Sequence, residues 1–422
     1  MTIIFQVTYN CNLRCSYCYQ PKTNHKVLAF DDAKVFINEL FKFIKTKKSK
    51  IFEPWVTDYS TWVSDNFTLE FIGGEPFLYP ELINNIVGYF YQSCINNLTL
   101  DIWERTTISI NSNGTLYQVP AVKEFINRYS DKIVLGTSFE GVEECHNLER
   151  KTAGGVGSFN LVAKNVDTIR EKYPKMQLPN KPTFVPKNIP LLPSVIKGLY
   201  KHGYKEIYFN TDIDNQLNKE DSEQYYLALC KAVDWVVDNN IDFSITPLNE
   251  SFGKDKMFLS CGVNASRICL GPGGIISTCH MANESYTNIA PFGNVKDGFT
   301  NTKLLNEFAN IFKNHLIPKQ CKNCPISGAC QDCYVVNYKQ FGDLNKAFID
   351  CGANVARAKA QLYWGKKLKE KANRSEKEQT KLDFIEKTNK YDPSYQYLYL
   401  DDYKTEFVSD NWEEKFIEKE PE

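Results

Sequence analysis

Asn10-Cys11-Asn12-Leu13-Arg14-Cys15-Ser16-Tyr17-Cys18-Tyr19 is the stretch on which the reading of this chain turns. It follows directly on a short β-rich run, residues 2–7, and it places three cysteines at steps of four and three. Such spacing fits one compact loop, so the three sulfurs can converge on a single metal group. Three thiolates are one short of a closed tetrahedral zinc site and one short of a closed four-iron cluster. An iron left without a protein ligand is what a cluster needs in order to bind a small molecule and hand it an electron. Structural zinc, or three buried cysteines, is the alternative.

Outward from that loop, short β-rich runs alternate with segments of helical period. Residues 67–72, 106–111, 133–139, 181–185 and 205–210 read as further strands. Residues 32–47, 80–93, 119–129, 158–173 and 191–202 read as the helices between them. Alternation over about 200 residues argues for a parallel α/β architecture. Six strands make an incomplete barrel, with functional residues at the strand C-termini and in the loops that follow. Residues 221–240 read as one more amphipathic helix. From about 259 the texture changes to short Cys- and Gly-punctuated segments without a long element. Beyond about 365 the chain is charge-rich, with scattered aromatics such as Tyr391, Tyr395, Tyr397 and Tyr399, and reads as a partly helical tail with weak core potential. The expected domains are 1–212, a bridge over 213–258, a metal-stabilised domain over 259–364, and a tail over 365–422.

Composition bounds what those domains do. The 422 residues exceed one ordinary core, and a hydrophobic content of 42% excludes wholesale disorder. Fifty basic residues stand against 51 acidic ones, so a broad nucleic-acid surface is not indicated. Fourteen cysteines beside 5 histidines and 4 methionines are the unusual feature. The N-terminus lacks a basic region and a long apolar region, and no apolar stretch approaches the roughly 18 residues that cross a bilayer. A cytoplasmic location is therefore expected, where clustered thiols more often bind metal than pair as disulfides.

The loop holding Cys11, Cys15, Tyr17 and Cys18 resembles the signature of radical S-adenosylmethionine (SAM) enzymes. That resemblance implies a [4Fe–4S] cluster whose open iron chelates SAM and cleaves it to a 5′-deoxyadenosyl radical. Three further motifs follow predicted strands. Gly73-Gly74-Glu75-Pro76 is similar to the family's GGEP element, which implies contact with the SAM amino group. Ser112-Asn113-Gly114-Thr115 resembles its TNGT turn. Ser138-Phe139-Glu140-Gly141 resembles an SLDG element, with Glu140 in place of Asp, and leads to His146, Asn147 and Arg150. By resemblance, Ser138 and Arg150 contact SAM; a helix cap and a solvated charge are the alternatives.

The later cysteines resemble a SPASM domain, a C-terminal extension holding two auxiliary [4Fe–4S] clusters. The implied fold is a partial (β/α)6 TIM-like barrel with a small iron–sulfur SPASM domain. The resemblance implies that Cys321, Cys324, Cys330 and Cys351 close one auxiliary cluster. It implies that Cys261, Cys279 and Cys333 hold the other, one ligand short. Two residues separate Cys330 from Cys333, where the family usually has three. Cys269 falls at a strand position and reads as a buried thiol, like Cys94, Cys145 and Cys230. Two zinc sites are the alternative for this region.

The resemblance implies a maturase acting on a ribosomal peptide or a protein side chain, with a donor such as flavodoxin or ferredoxin supplying electrons. One branch, the anaerobic sulfatase-maturating enzymes, makes formylglycine and has an Asp base after the cysteine that corresponds to Cys279. This chain has His280 there, a residue able to accept a proton but also suited to a plain loop hydrogen bond. The favoured reading is therefore a peptide maturase that forms a thioether or carbon–carbon cross-link. Formylglycine formation is the alternative, and a non-catalytic iron–sulfur or zinc sensor is the alternative outside enzymes. Ten residues precede Cys11. A leader is thus expected to be presented by a separate leader-binding protein, or to dock on the barrel, bridge or tail, where a strand edge could add it by β-augmentation.

Overall fold

A computed structural model describes residues 1–20, 25–55, 66–211, 216–250, 267–282, 286–311, 314–327, 330, 332–388 and 406–409. Its centre is a sheet that opens with β1 (Thr2–Thr8), β2 (Phe67–Gly73), β3 (Thr106–Ser112) and β4 (Ile133–Thr137), parallel and in sequence order. Helices Phe30–Thr46, Pro80–Asn96 and Pro120–Arg128 connect these strands. One face of the sheet is apolar, with Ile3, Phe5, Leu69, Phe71, Ile108 and Ile110 all inaccessible to solvent. The other face carries Gln6, Glu70 and Asn111, and Glu70 there accepts from Asn111 Nδ2 at 2.9 Å and pairs with Arg267 at 2.5 Å. The division matches a barrel wall, whose outer side is covered by helices and whose inner side faces a lumen. Beyond β4, Gln177 and Asn180 form parallel bridges to Val134 and Thr137, so the arc continues past four strands.

The chain then forms four two-residue strands: β5 (Thr183–Phe184), β6 (Glu206–Ile207), β7 (Asn210–Thr211) and β8 (Ser244–Ile245). β5 pairs with β7 and β6 with β8, both parallel. The expected strands 181–185 and 205–210 are thus present but short. Four later strands return to the central sheet: β9 (Arg267–Gly271), β10 (Ile275–Ser277), β11 (Gly293–Asn294) and β12 (Gly298–Phe299). β9 runs parallel to β1, from Thr2 opposite Arg267 to Phe5 opposite Leu270. It covers the edge that β1 would otherwise leave open, and an apolar edge strand is a liability that such pairing removes.

Packing therefore divides the chain elsewhere than at 212, 258 and 364. One compact unit comprises 1–139, 146–180 and 262–309; the other comprises 140–145, 181–261 and 310–422. In the second unit, helices Lys219–Asp238 and Cys351–Glu370 pack on each other, and helix Glu376–Thr388 packs on the latter. Leu368, Leu382 and Ile385 are buried, which corrects the expectation of weak core potential beyond 365. Tyr391, Tyr395, Tyr397 and Tyr399 lie outside the described residues. No helix among the described residues is long and apolar enough to cross a membrane.

Candidate active site

The main chain leaving β1 meets the turn leaving β2 at very short range. Gly74 N donates to Thr8 O at 2.9 Å and Glu75 N to Asn10 O at 2.7 Å. A Cβ on Gly73 would lie 2.2 Å from Thr8 O, and one on Gly74 would lie 2.1 Å from Asn10 O. Gly73 also has φ +150°, a region that favours glycine. The glycine pair thus anchors the backbone entering the cysteine loop, and Pro76 starts the short 3-10 turn that follows.

Glu75 does not face an open site. Its buried carboxyl accepts from Phe77 N at 3.0 Å, Ser112 Oγ at 2.9 Å and Asn113 N at 2.7 Å. Burial pushes it up to about 7, against the lowering effect of those three donors. Glu75 therefore ties the end of β2 to the turn after β3. Asn113, in that turn, directs Nδ2 to Asn12 Oδ1 at 2.8 Å and to Cys11 Sγ at 3.8 Å.

Cys11, Cys15 and Cys18 sit together in a half-buried loop. Burial pushes the Cys11 thiol up to about 12; the Leu13 N–H opposes this, and negative charge at Glu75, Cys15 and Cys18 adds to it. Thiols in that condition become good ligands only when a cation takes the proton's place. The loop is also held from its far side. Arg14 N donates to Lys151 O at 2.7 Å, Leu13 bridges Thr152, and Ser16 Oγ donates to Glu149. Arg150, itself buried, lays its guanidinium 5.5 Å from the Tyr17 ring centroid. Ser138 follows β4, and its N–H donates to Ser112 O at 3.0 Å. The sequence-expected Tyr17, Gly73, Gly74, Glu75, Pro76, Asn113, Ser138 and Arg150 thus all belong to the same compact unit as the loop.

Cys279 and His280 belong to that unit too. Ser277 Oγ donates to Cys279 O at 3.0 Å, and the His280 carbonyl accepts from Gln6 Nε2 at 3.4 Å. The Tyr19 ring lies 5.7 Å from His280 and 5.5 Å from Tyr286, centroid to centroid. Burial pushes the Tyr19 phenol upward, and negative charge at Cys279 and Cys18 adds to this. Tyr19, Asn12 and Glu149 carried no role in the sequence reading. The available signal was their position next to a proposed ligand or contact residue.

The second unit holds the other thiols. Burial holds Cys330 well above the usual thiol range, and negative charge at Cys321, Cys351 and Cys324 raises it further, so these four stand close together. Cys321 and Cys330 pack among Ile317, Ala347 and Ile349; Cys324 and Cys351 pack against Ile326, Val355 and Ala358. Cys351 opens the helix Cys351–Glu370, where the helix dipole favours a thiolate. Cys333 lines a 140 Å³ cavity with Tyr225, Asp350 and Arg357. Cys261 lies outside the described residues. Cys94, Cys145, Cys230 and Cys269 are buried, as expected of packing residues. Tetrahedral zinc with bonds of about 2.3 Å would draw its sulfurs to roughly 3.8 Å of one another. Among the described residues no three His, Cys, Asp or Glu side chains are gathered closely enough to enclose a single ion of any kind. Cys321 and Cys330 are buried and Cys324 and Cys351 half-buried, and four thiols are a donor set that either a tetrahedral zinc or a four-iron cluster can use.

Residues 2–126 match the family model of a 4Fe-4S single cluster domain. The chain is 25% identical over 349 residues to the cysteine-type anaerobic sulfatase-maturating enzyme of Clostridium novyi, covering 76% of this chain and 84% of that one. It is 22% identical over 343 residues to the antilisterial bacteriocin subtilosin biosynthesis protein AlbA of Bacillus subtilis, covering 78% and 66%. Among solved structures, anSMEcpe with bound AdoMet and the Cp18Cys peptide superposes with a TM-score of 0.62 at 18% identity, covering 86% of this chain and 96% of that one. That likeness establishes the mixed α/β fold.

Proposed function

We propose that this chain, a radical SAM enzyme with a SPASM-like extension, modifies a ribosomally made peptide by forming a thioether or carbon–carbon cross-link. The resemblance read from its cysteine motifs is borne out by the sulfatase-maturating and subtilosin relatives. The observation that carries the reading is the loop of Cys11, Cys15 and Cys18 at the C-terminal end of β1, pinned by Gly73 and Gly74. When bound there, a [4Fe–4S] cluster with SAM supplies one electron that splits SAM into methionine and a 5′-deoxyadenosyl radical, which takes a hydrogen atom from the substrate.

The chain's own residues do the rest. Cys11, Cys15 and Cys18 would hold the cluster, and their number would leave one iron free for SAM. Gly73, Gly74 and Pro76 shape the backbone beside the SAM amino group, while Ser138 and Arg150 meet the rest of SAM and Tyr17 supports the Arg150 guanidinium. His280 is the proton acceptor nearest to Cys279 in sequence. Cys321, Cys324, Cys330 and Cys351 would hold one auxiliary cluster, and by resemblance Cys261, Cys279 and Cys333 would be ligands of another, for three in all. A flavodoxin- or ferredoxin-like donor supplies electrons, a separate protein presents the leader, and the reaction takes place in the cytoplasm.

Formylglycine formation is the second reading, favoured by the first relative above and disfavoured by His280 standing where that branch has Asp. Anaerobic reconstitution, metal analysis and incubation with SAM and dithionite test the radical chemistry. 5′-Deoxyadenosine must form, and must vanish when Cys11, Cys15 and Cys18 are replaced by Ala. Zinc content without SAM cleavage would sink the enzyme reading in favour of a sensor. Mass spectrometry then separates the products on two probes, a Cys-rich peptide encoded beside the gene and the Cp18Cys peptide. Loss of two hydrogens marks a cross-link, and conversion of the thiol to an aldehyde marks formylglycine.

A further inference from the structure

The Asn113 carboxamide uses its full hydrogen-bonding capacity. Its Oδ1 accepts from Thr115 N at 3.0 Å and from Thr115 Oγ1 at 2.6 Å. Its Nδ2 donates to Asn12 Oδ1 at 2.8 Å and reaches Cys11 Sγ at 3.8 Å. The amide cannot be turned round, because the Thr115 main-chain N–H can only donate and would then face an NH2 group. One amide N–H therefore serves Asn12 Oδ1 and the other faces the Cys11 sulfur. Leu13 N donates to the same sulfur at 3.4 Å. Asn113 is only 7% exposed, so water cannot readily take over its role. Its backbone is fixed as well, by Glu75 on one side and on the other by Gly114 at φ +77°, where a Cβ would meet Thr137 Cγ2 at 2.8 Å.

We propose that Asn113 is a positioning residue that stabilises negative charge on the Cys11 sulfur and so sets how readily the iron held by this loop accepts an electron. The inference rests on Cys11, Cys15 and Cys18 being cluster ligands, and is independent of which substrate the chain modifies. An N–H group directed at a ligand sulfur disperses the charge that reduction adds, and hydrogen bonds to sulfur are among the determinants of iron–sulfur potentials. The sign follows. Removing the donor disfavours the reduced state and makes the midpoint potential more negative.

The test uses the full chain, reconstituted anaerobically, with and without Asn113→Leu, which keeps the side chain's size and removes its donors. Redox titration monitored by electron paramagnetic resonance follows the reduced signal that changes when SAM is added. The expected result is a more negative midpoint potential at unchanged iron content; an unchanged potential at unchanged iron content overturns the proposal. If Asn113→Leu fails to hold iron, wild-type protein carrying asparagine labelled with 15N at the side-chain amide replaces it. Pulsed resonance of the reduced state must then show a 15N coupling, and its absence overturns the proposal. Failure of SAM cleavage in wild type, with the potential shift intact, would count against the radical reading and not against this role. Wild type that takes up zinc in place of iron overturns both.

Discussion

Glu75 is fully buried, and the three donors on its carboxyl come from its own turn and from the turn after β3. A Gln there has only one acceptor oxygen. With that oxygen on Phe77 N and Ser112 Oγ, its NH2 faces Asn113 N–H, and a buried donor loses its partner at a cost of about 1–3 kcal/mol. Glu75→Gln is therefore expected to lower the melting temperature and also iron uptake at the first cysteine loop, measured by calorimetry and iron analysis; full uptake would refute the link. The carboxyl also carries a pH signature. Its folded value of about 7 lies above the usual 4.5, so the native state binds the proton more tightly. Its contribution to stability is fully present below pH 4.5 and is lost as pH rises through 7, by up to roughly 3 kcal/mol. Urea unfolding of metal-free protein at pH 5 and pH 8 should differ more in wild type than in Glu75→Gln. The sequence marked Glu75 as a site residue through its Gly-Gly neighbours. It could not show that the carboxylate turns inward, because that depends on where the β3 turn arrives from 37 residues away in the chain.

Helix Cys351–Glu370 shows why one long element escaped the sequence reading. Ala353, Ala356, Ala358, Ala360, Trp364 and Leu368 are buried around much of its circumference, so it presents no clean apolar stripe of period 3.6. The helices over 80–96 and 219–238, by contrast, were legible to within a few residues from their periodicity. The small residues at the start of the helix have a steric cause. A Cβ on Gly352 would lie 2.4 Å from Leu217 O, and Ser222 Oγ donates to Gly352 O at 2.7 Å. Gly352→Ala must therefore push the helix start, and Cys351 with it, away from its place beside Cys330. The expected outcome is loss of about four irons per chain, with Cys11-loop iron retained. Retention of all iron would show that the helix start can move without cost. Lys381 tests the next helix. Its amine donates to Leu248 O at 2.7 Å and Asn249 Oδ1 at 2.5 Å and sits 4.5 Å from the Trp364 ring centroid, and burial pushes it down to about 7. Since the unfolded amine titrates near 10.5, its contribution is present above pH 10.5 and is lost as pH falls through 7. Unfolding free energies of wild type and Lys381→Met, compared at pH 7 and pH 9.5, should diverge in wild type's favour as pH rises.

At the scale of the molecule, strand order through β4 could be read from the alternation of strand and helix, since consecutive parallel strands joined by helices leave few other arrangements. The return of β9 to pair with β1 could not, because pairing across more than 250 residues leaves no local mark in either strand. The same non-locality moved Cys279 and His280 out of the expected small domain and into the unit of the first cysteine loop. Cys321, Cys324, Cys330 and Cys351 form a second group wholly inside the other unit. These two of the three proposed groups each lie within one unit, which predicts that their iron can be removed in separate portions. Replacing Cys11, Cys15 and Cys18 together by Ala should remove about four irons and all 5′-deoxyadenosine formation, and should leave the second group loaded. Replacing Cys321 and Cys330 should remove a similar share while slow, substrate-free SAM cleavage persists, because the residues around the first loop lie in the other unit. Iron and sulfide analysis beside chromatography of 5′-deoxyadenosine reads both effects in one preparation. If either replacement empties both groups, the two sites are coupled through folding, and their separation by packing unit does not extend to their metal chemistry.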